Sequence, residues 1–221
     1  MTVSLFITVD GPPEVGPEAR TWAKGPLAEA LRHDALSLDL FTAAAPADDP
    51  YTDDGVGPLV MLQADFAHLA ALDASDLDAA LWKRPVDCTA WADAFEGMAT
   101  PVHGERAARA RSAPVSYVVR YHRPAEDEAA FLRHYLDHHP PILGRLPGVR
   151  NVLCYLSLDW FPPVGAASSD CMLGNEVVFD SLEDLDAALN SSVRDELRQD
   201  YNALPPFSGK VTHHAMARRR L

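Results

Sequence analysis

"VSYVVRYHRPAEDEAAFLRHYLDHHPPILGRLPG", residues 115–148, changes period in its middle. The first ten residues are β-branched and aromatic, and they stop at Pro124, the pattern of a strand. The acids that follow, Glu126, Asp127 and Glu128, stand where a helix dipole favours negative charge. From there to the histidines the chain reads as a helix. After "LPG" come a second strand, "RNVLCYLSLDWF", a loop, "FPPVGAASSD", and a third strand, "CMLGNEVVFD". One helical segment, "SLEDLDAALNSSVRDELRQDY", follows with Ser181 as its N-cap, and "GKVTHHAMARR" closes as a strand. The order β-α-β-β-α-β is that of the ferredoxin-like split βαβ unit.

The first half repeats this order less cleanly. "VSLFITVD", "LSLDLF", "PLVMLQADF" and "DCTAWADAFEGMA" read as strands, and "PEARTWAKGPLAEALRHD" and "AHLAALDASDLDAALW" carry helical residues. The hexapeptide "DLDAAL" occurs at 76–81 and again at 184–189, and "KGPLAEAL" (24–31) lines up with "HPPILGRL" (139–146). Self-similarity at this spacing is the mark of a duplicated unit. The expected organisation is a first repeat at 1–100, a small, charged linker at 101–114 and a second repeat at 115–221. A ferredoxin-like sheet has helices on one face only, so two units in one chain are expected to cover each other's bare face as an α+β pseudo-dimer.

Composition narrows the function classes. The 221 residues are 48% hydrophobic, enough to bury a core. A net charge of -13 argues against nucleic-acid and anionic-membrane partners, which are held by Lys and Arg. Cys88, Cys154 and Cys171 are widely spaced and form no CxxC, as in a protein of the reducing cytoplasm. The N-terminus lacks a basic start and reaches Asp10 too soon for a signal peptide, and no apolar run is long enough to span a membrane. The "ARRR" at 217–220 reads as a short solvated basic terminus. There is no GxSxG, P-loop or GxGxxG, and Cys171 has no partner that would make it a nucleophile.

The candidate site residues come from side-chain direction. With Phe131 as origin and 100° per residue, Tyr135, Leu136, Ile142, Leu143 and Leu146 fall in one apolar arc with His139 near its centre. His138 and His134 sit at its edge. Pro140 and Pro141 are expected to kink or end the helix near His139. A histidine held partly dry stays neutral and can take a proton; the other reading is a core histidine hydrogen-bonded to a carbonyl. On the first strand of the second repeat, Tyr117, Val119 and Tyr121 face one way and Val118, Arg120 and His122 the other. His213 and His214 likewise face opposite sides. His134 and His138 have the spacing of a metal-binding pair, but no third ligand is evident in the sequence, so no metal site is expected.

The second half, 114–221, resembles the EthD family of the dimeric α/β-barrel superfamily. The residues that carry the resemblance are "RYHRP", Phe131, Tyr135, the pattern H-x-P-[LI]-x-x-x-L-P-G from His139 to Gly148, "NEVVFDSLEDLDAAL" and Asp200. The first half departs from the pattern, with Lys24 at the place of the histidine and no Leu-Pro-Gly, and reads as a degenerate copy. Members of the superfamily include cofactor-independent oxygenases, isomerases, polyketide cyclases, dehydratases and haem-handling proteins, and EthD-like proteins are linked to degradation of small organic compounds. The resemblance implies a site around His139. The expectation is therefore a cofactor-independent isomerase, lyase or monooxygenase acting on a small carbonyl, lactone or aromatic compound. His139 would be the acid–base group, with Tyr121 and His138 beside it; Tyr135, His122, His213 and His214 would contact substrate. The other class is a barrel that binds a small ligand without turning it over. Haem on His139 is the cofactor alternative, and a homodimer of the chain is compatible with the fold.

Overall fold

In the computed structural model the described residues are 2–44, 49–51, 54, 57–102 and 113–221; most of the expected linker, 103–112, lies outside them. Eight antiparallel strands close into one barrel. They are β1 (Val3–Asp10), β2 (Ser37–Ala43), β3 (Val60–Phe66), β4 (Thr89–Thr100), β5 (Val115–His122), β6 (Asn151–Ser157), β7 (Cys171–Phe179) and β8 (Val211–Arg220). The order around the barrel is β1-β3-β2-β8-β5-β7-β6-β4. Each half thus has the internal order 4-1-3-2 of a ferredoxin-like sheet, and the halves join where β2 pairs with β8 and β4 with β6. Closure removes every sheet edge, which one half alone could not do.

Strand alternation sorts the side chains into three cores. Val3, Leu5, Ile7 and Val9 of β1 point outward to the helices of the first half, whereas Tyr117, Val119 and Tyr121 of β5 point outward to those of the second. Phe6, Phe41, Met61, Phe95, Val118, Leu153, Tyr155, Cys171 and Met216 point inward and fill part of the barrel. The first-half helices are α1 (Gly16–Trp22), continued through a π-helical stretch (Ala23–Leu27) into α2 (Ala28–Arg32), then α3 (Leu69–Asp73) and α4 (Leu77–Leu81). Those of the second half are α5 (Glu128–Leu143), α6 (Leu182–Leu189) and α7 (Ser192–Asn202). The repeated "DLDAAL" buries the same three positions twice, Leu77, Ala80 and Leu81 in α4 and Leu185, Ala188 and Leu189 in α6. Ser181 caps α6, accepting from the Asp184 amide at 3.1 Å, as its position suggested.

Three expectations need correction. Helix α5 does not stop at His139 but runs on through Pro140 and Pro141 to Leu143. Its stripe of Phe131, Tyr135, His139 and Leu143, one residue per turn and buried against the sheet, holds it where two backbone donors are missing. The single helix expected at 181–201 is two helices, broken after Leu189. The third correction is the largest: "ARRR" is not a solvated tail but the end of β8. Arg218 points into the barrel, with its side chain only 4% exposed, and donates to Glu176 Oε1 and Asp39 Oδ2, each at 2.8 Å. Glu176 also accepts from Ser116 (2.6 Å) and Tyr155 (2.9 Å), and Arg220 pairs with Asp39 at 3.0 Å. Tyr155 receives Gln63 at 3.3 Å, and Gln63 leads to Asp65, which accepts from Ser4 and Ser37.

At the end of α5, Gly148 takes a φ of 74°, a left-handed conformation that a side chain strains, and a Cβ there would meet Asp184 at 3.1 Å. That explains the "LPG" in physical terms. Three substitutions test this framework by urea denaturation. Arg218→Met, which leaves Glu176 buried without a cation and Asp39 with only the half-exposed Arg220, should cost about 3–5 kcal/mol. Arg219→Ala, one residue on and exposed, should stay within about 0.5 kcal/mol. Gly148→Ala should cost about 1–2 kcal/mol.

Candidate functional site

Two cavities lie on opposite sides of the second-half sheet. The outer one, about 360 Å³, sits between the sheet and α5, α6 and α7. The inner one, about 600 Å³, opens into the barrel. Strand alternation divides the sequence-predicted residues between them. Tyr121, His139 and His213 line the outer cavity; His122 and His214 line the inner one. Tyr135 lies behind the outer wall, its ring 4.7 Å from that of His139. His138 is on neither: it is exposed, hydrogen-bonds the His134 carbonyl through Nδ1 at 2.8 Å and stacks on the His134 ring. The seven residues therefore do not form one constellation.

The outer cavity holds two histidines anchored in the same way. His139 Nδ1 meets Asp200 Oδ2 at 2.7 Å, and His213 Nδ1 meets Asp54 Oδ2 at 2.8 Å. A carboxylate on Nδ1 fixes that nitrogen as the donor and leaves Nε2 with its lone pair. Burial pushes both imidazoles below the usual histidine range, more than the neighbouring carboxylates raise them, so both are neutral and able to accept a proton at neutral pH. Burial opposes ionisation of Asp200 as well, but the hydrogen bond and charge of His139 outweigh it and hold the carboxyl below its ordinary value. Asp200 also lies 3.7 Å from His134 Nε2 through its other oxygen.

Between these groups stands Tyr121. Full burial raises its pKa far above the ordinary phenol value, so it remains a hydroxyl. Tyr135 hydrogen-bonds it, and Tyr135 in turn accepts from the Asn175 amide. The remaining wall is largely apolar, with Val119, Leu143, Phe179, Leu189 and Leu197, and Arg198 lies across Tyr51 and Tyr201 at 5.5 and 5.3 Å.

Sequence reasoning missed the groups that come from elsewhere in the chain. Asp49, Tyr51 and Asp54 belong to the first half yet pack on the second-half cavity. Asp49 accepts from Tyr117 at 2.7 Å and from Arg194 at 3.0 Å, and these contacts with the Tyr51 amide hold it below the ordinary carboxylate range despite its burial. Tyr51 donates to Asp195 at 2.6 Å. No periodicity links residues 49–54 to α7. Asp200 was named only as a residue that carries the EthD resemblance, with no role at the site. Arg194 and Arg198 were hidden because 181–201 reads as one surface helix, whereas the break after Leu189 turns α7 over the cavity.

Among the described residues the first half has no counterpart of this cavity wall. From α4 it passes to β4 without a further helix, and Trp22 stands between helices and sheet, donating to the Ala80 carbonyl at 2.9 Å. Lys24, at the place of His139, lies on the π-helical stretch and is exposed. Burial pushes the Cys154 and Cys171 thiols up to about 12, which leaves neither as a nucleophile. A haem does not fit the outer cavity as the residues stand: 360 Å³ is less than a porphyrin with its carboxylates fills, and the Tyr135 ring already packs 4.7 Å from that of His139.

No family model matches this sequence, and no curated protein does. Solved structures match over the whole chain at low identity. An anthrone oxidase-like protein is 11% identical over 99% of this chain and 92% of its own, with a TM-score of 0.63. A chlorite dismutase from Candidatus Nitrospira defluvii is 14% identical over 98% of this chain and 91% of its own, with a TM-score of 0.55. An EthD-family protein from Bacillus halodurans overlays only 45% of this chain and 96% of its own, at 22% identity and a TM-score of 0.35, which does not assign that family. The full-length matches and the strand order agree on the fold: a dimeric α/β-barrel formed by two ferredoxin-like units within one chain.

Proposed function

We propose that this protein is an enzyme that moves a proton on a small, partly apolar carbonyl or phenolic compound bound in the outer cavity, without a cofactor. The observation that carries this reading is the pair of aspartate-anchored imidazoles, His139–Asp200 on α5 and α7 and His213–Asp54 on the sheet side, lining one cavity. His139 takes the proton through Nε2, and Asp200 steadies the imidazolium that forms. Tyr121, kept as a hydroxyl by burial, donates to the oxygen on which negative charge develops. The imidazolium of His139 then returns the proton to another atom of the substrate or to a leaving group, which gives an isomerase or a lyase. The same carbanion or phenolate is the species that dioxygen attacks in a cofactor-free oxygenase, the variant that the anthrone oxidase-like fold brings into view. Arg198 suits a substrate that carries a carboxylate or a second acidic oxygen. The EthD-like motif from His139 to Gly148 supports the same residue from sequence.

Proton abstraction can be read without knowing the later step. In D2O, exchange of acidic C–H protons is followed by NMR across a panel of small cyclic ketones, lactones and activated phenols. The wild-type protein should accelerate exchange of at least one class, and His139→Asn should lower that acceleration about 10²–10⁴-fold. Asp200→Asn should lie between the two, and His122→Ala, in the other cavity, should match wild type. A compound that binds with no exchange above background, in wild type and His139→Asn alike, would leave a ligand-binding protein in place of an enzyme.

A further inference from the structure

The face of α5 next to His139 carries a second, unused group of ligands. His134 and His138 stand one turn apart, with ring centroids separated by 4.4 Å. Asp200 reaches them from α7, and one donor atom from each of the three residues falls within 4.8 Å of the others. Asp200 is already bound to His139 through Oδ2; its Oδ1 is the oxygen turned toward His134. His134 Nε2 is buried and has no hydrogen-bond partner, and 3.7 Å from Asp200 Oδ1 is too long for a hydrogen bond. A buried polar atom left without a partner marks a missing group.

We infer that His134, His138 and Asp200 form a site for a divalent first-row transition metal, of which Zn²⁺ is the natural probe. Two imidazoles and one carboxylate are the donor set that such ions accept, whereas Mg²⁺ and Ca²⁺ prefer oxygen throughout. Ligand atoms each about 2.0–2.2 Å from a tetrahedral ion lie roughly 3.4 Å from one another. The separation of His134 Nε2 and Asp200 Oδ1 therefore needs only a few tenths of an ångström of closure, and the remaining separations, all within 4.8 Å, close by rotation of the exposed His138 ring. His138 is exposed, so the fourth position opens to water. The ion would sit on the outer side of α5, with Asp200 bridging it to His139, and would draw charge from the carboxylate that anchors His139. The inference stands on the positions of these three side chains and holds whether or not His139 is a base.

The test is calorimetric titration of the chelator-treated full chain with ZnCl2, with native mass spectrometry for stoichiometry. One Zn²⁺ per chain is expected, with affinity reduced at least tenfold in His134→Ala and in His138→Ala. His139→Asn should still bind, since His139 is not a ligand. His138 is exposed, so His138→Ala reports on the site even if His134→Ala fails to fold. Co²⁺ substitution should give the intense visible bands of a four-coordinate ion, and these should vanish in His138→Ala. Absence of stoichiometric binding, or binding of undiminished affinity in His138→Ala, would overturn the site.

Discussion

The barrel depends on how one arginine is buried. Arg218 lies among apolar and aromatic side chains with two carboxylates against it, Asp39 from the first half and Glu176 from the second. Charge inside a barrel is strongly penalised unless it is paired and hydrogen-bonded; Ser116, Tyr155 and Arg220 add partners for the two acids, while Arg218 Nε has no hydrogen-bond partner. Its geometry also fixes register. Arg218 meets Asp39 and Glu176 together only when β8 lies between β2 and β5 with the observed pairing, Asp39 opposite Arg220 and Val115 opposite Ala217. A slip of one residue would turn Arg218 to the outer face and break its paired contacts with Asp39 and Glu176. The polar chain then runs from Tyr155 through Gln63 to Asp65, so that strands from both halves share one network.

With the barrel fixed, the difference between the halves follows from a few local choices. Both place a helix over the sheet and a "DLDAAL" helix beside it. Only the second adds α7, and only there does the long helix keep α-helical register past its prolines, which carries His139 to the cavity. In the first half the π-helical stretch around Pro26 interrupts the register, Lys24 is left outside, and Trp22 packs where a cavity would otherwise open. The duplicated fold thus carries one elaborated site.

Much of the architecture was legible in the sequence, because it rests on periods that the sequence displays. The eight strands, the repeated hexapeptide and the apolar arc of α5 all reflect alternation or helical spacing, and the opposite facing of His213 and His214 is alternation alone. What the sequence could not show was which distant groups complete each histidine. His139 is completed by Asp200, 61 positions away, and His213 by Asp54, 159 positions away. The terminal arginines misled for a related reason: their charge suggests water unless the acids waiting for them across the barrel are known. His138 was placed with His139 because it is adjacent in sequence, but adjacent helical residues point about 100° apart, and only one enters the cavity.

The residues around 49–54 give the duplication a further meaning. Asp49 neutralises Arg194 and ties down Tyr117, while Asp54 anchors His213, so the first half supplies walls and counter-charges to a cavity whose floor and histidines belong to the second. Cutting the chain between the repeats would therefore break the ion pairs that line the cavity. The second half alone would keep every imidazole yet lose one carboxylate partner, gain an unpaired arginine and expose a sheet face. The cavity is the joint product of both repeats.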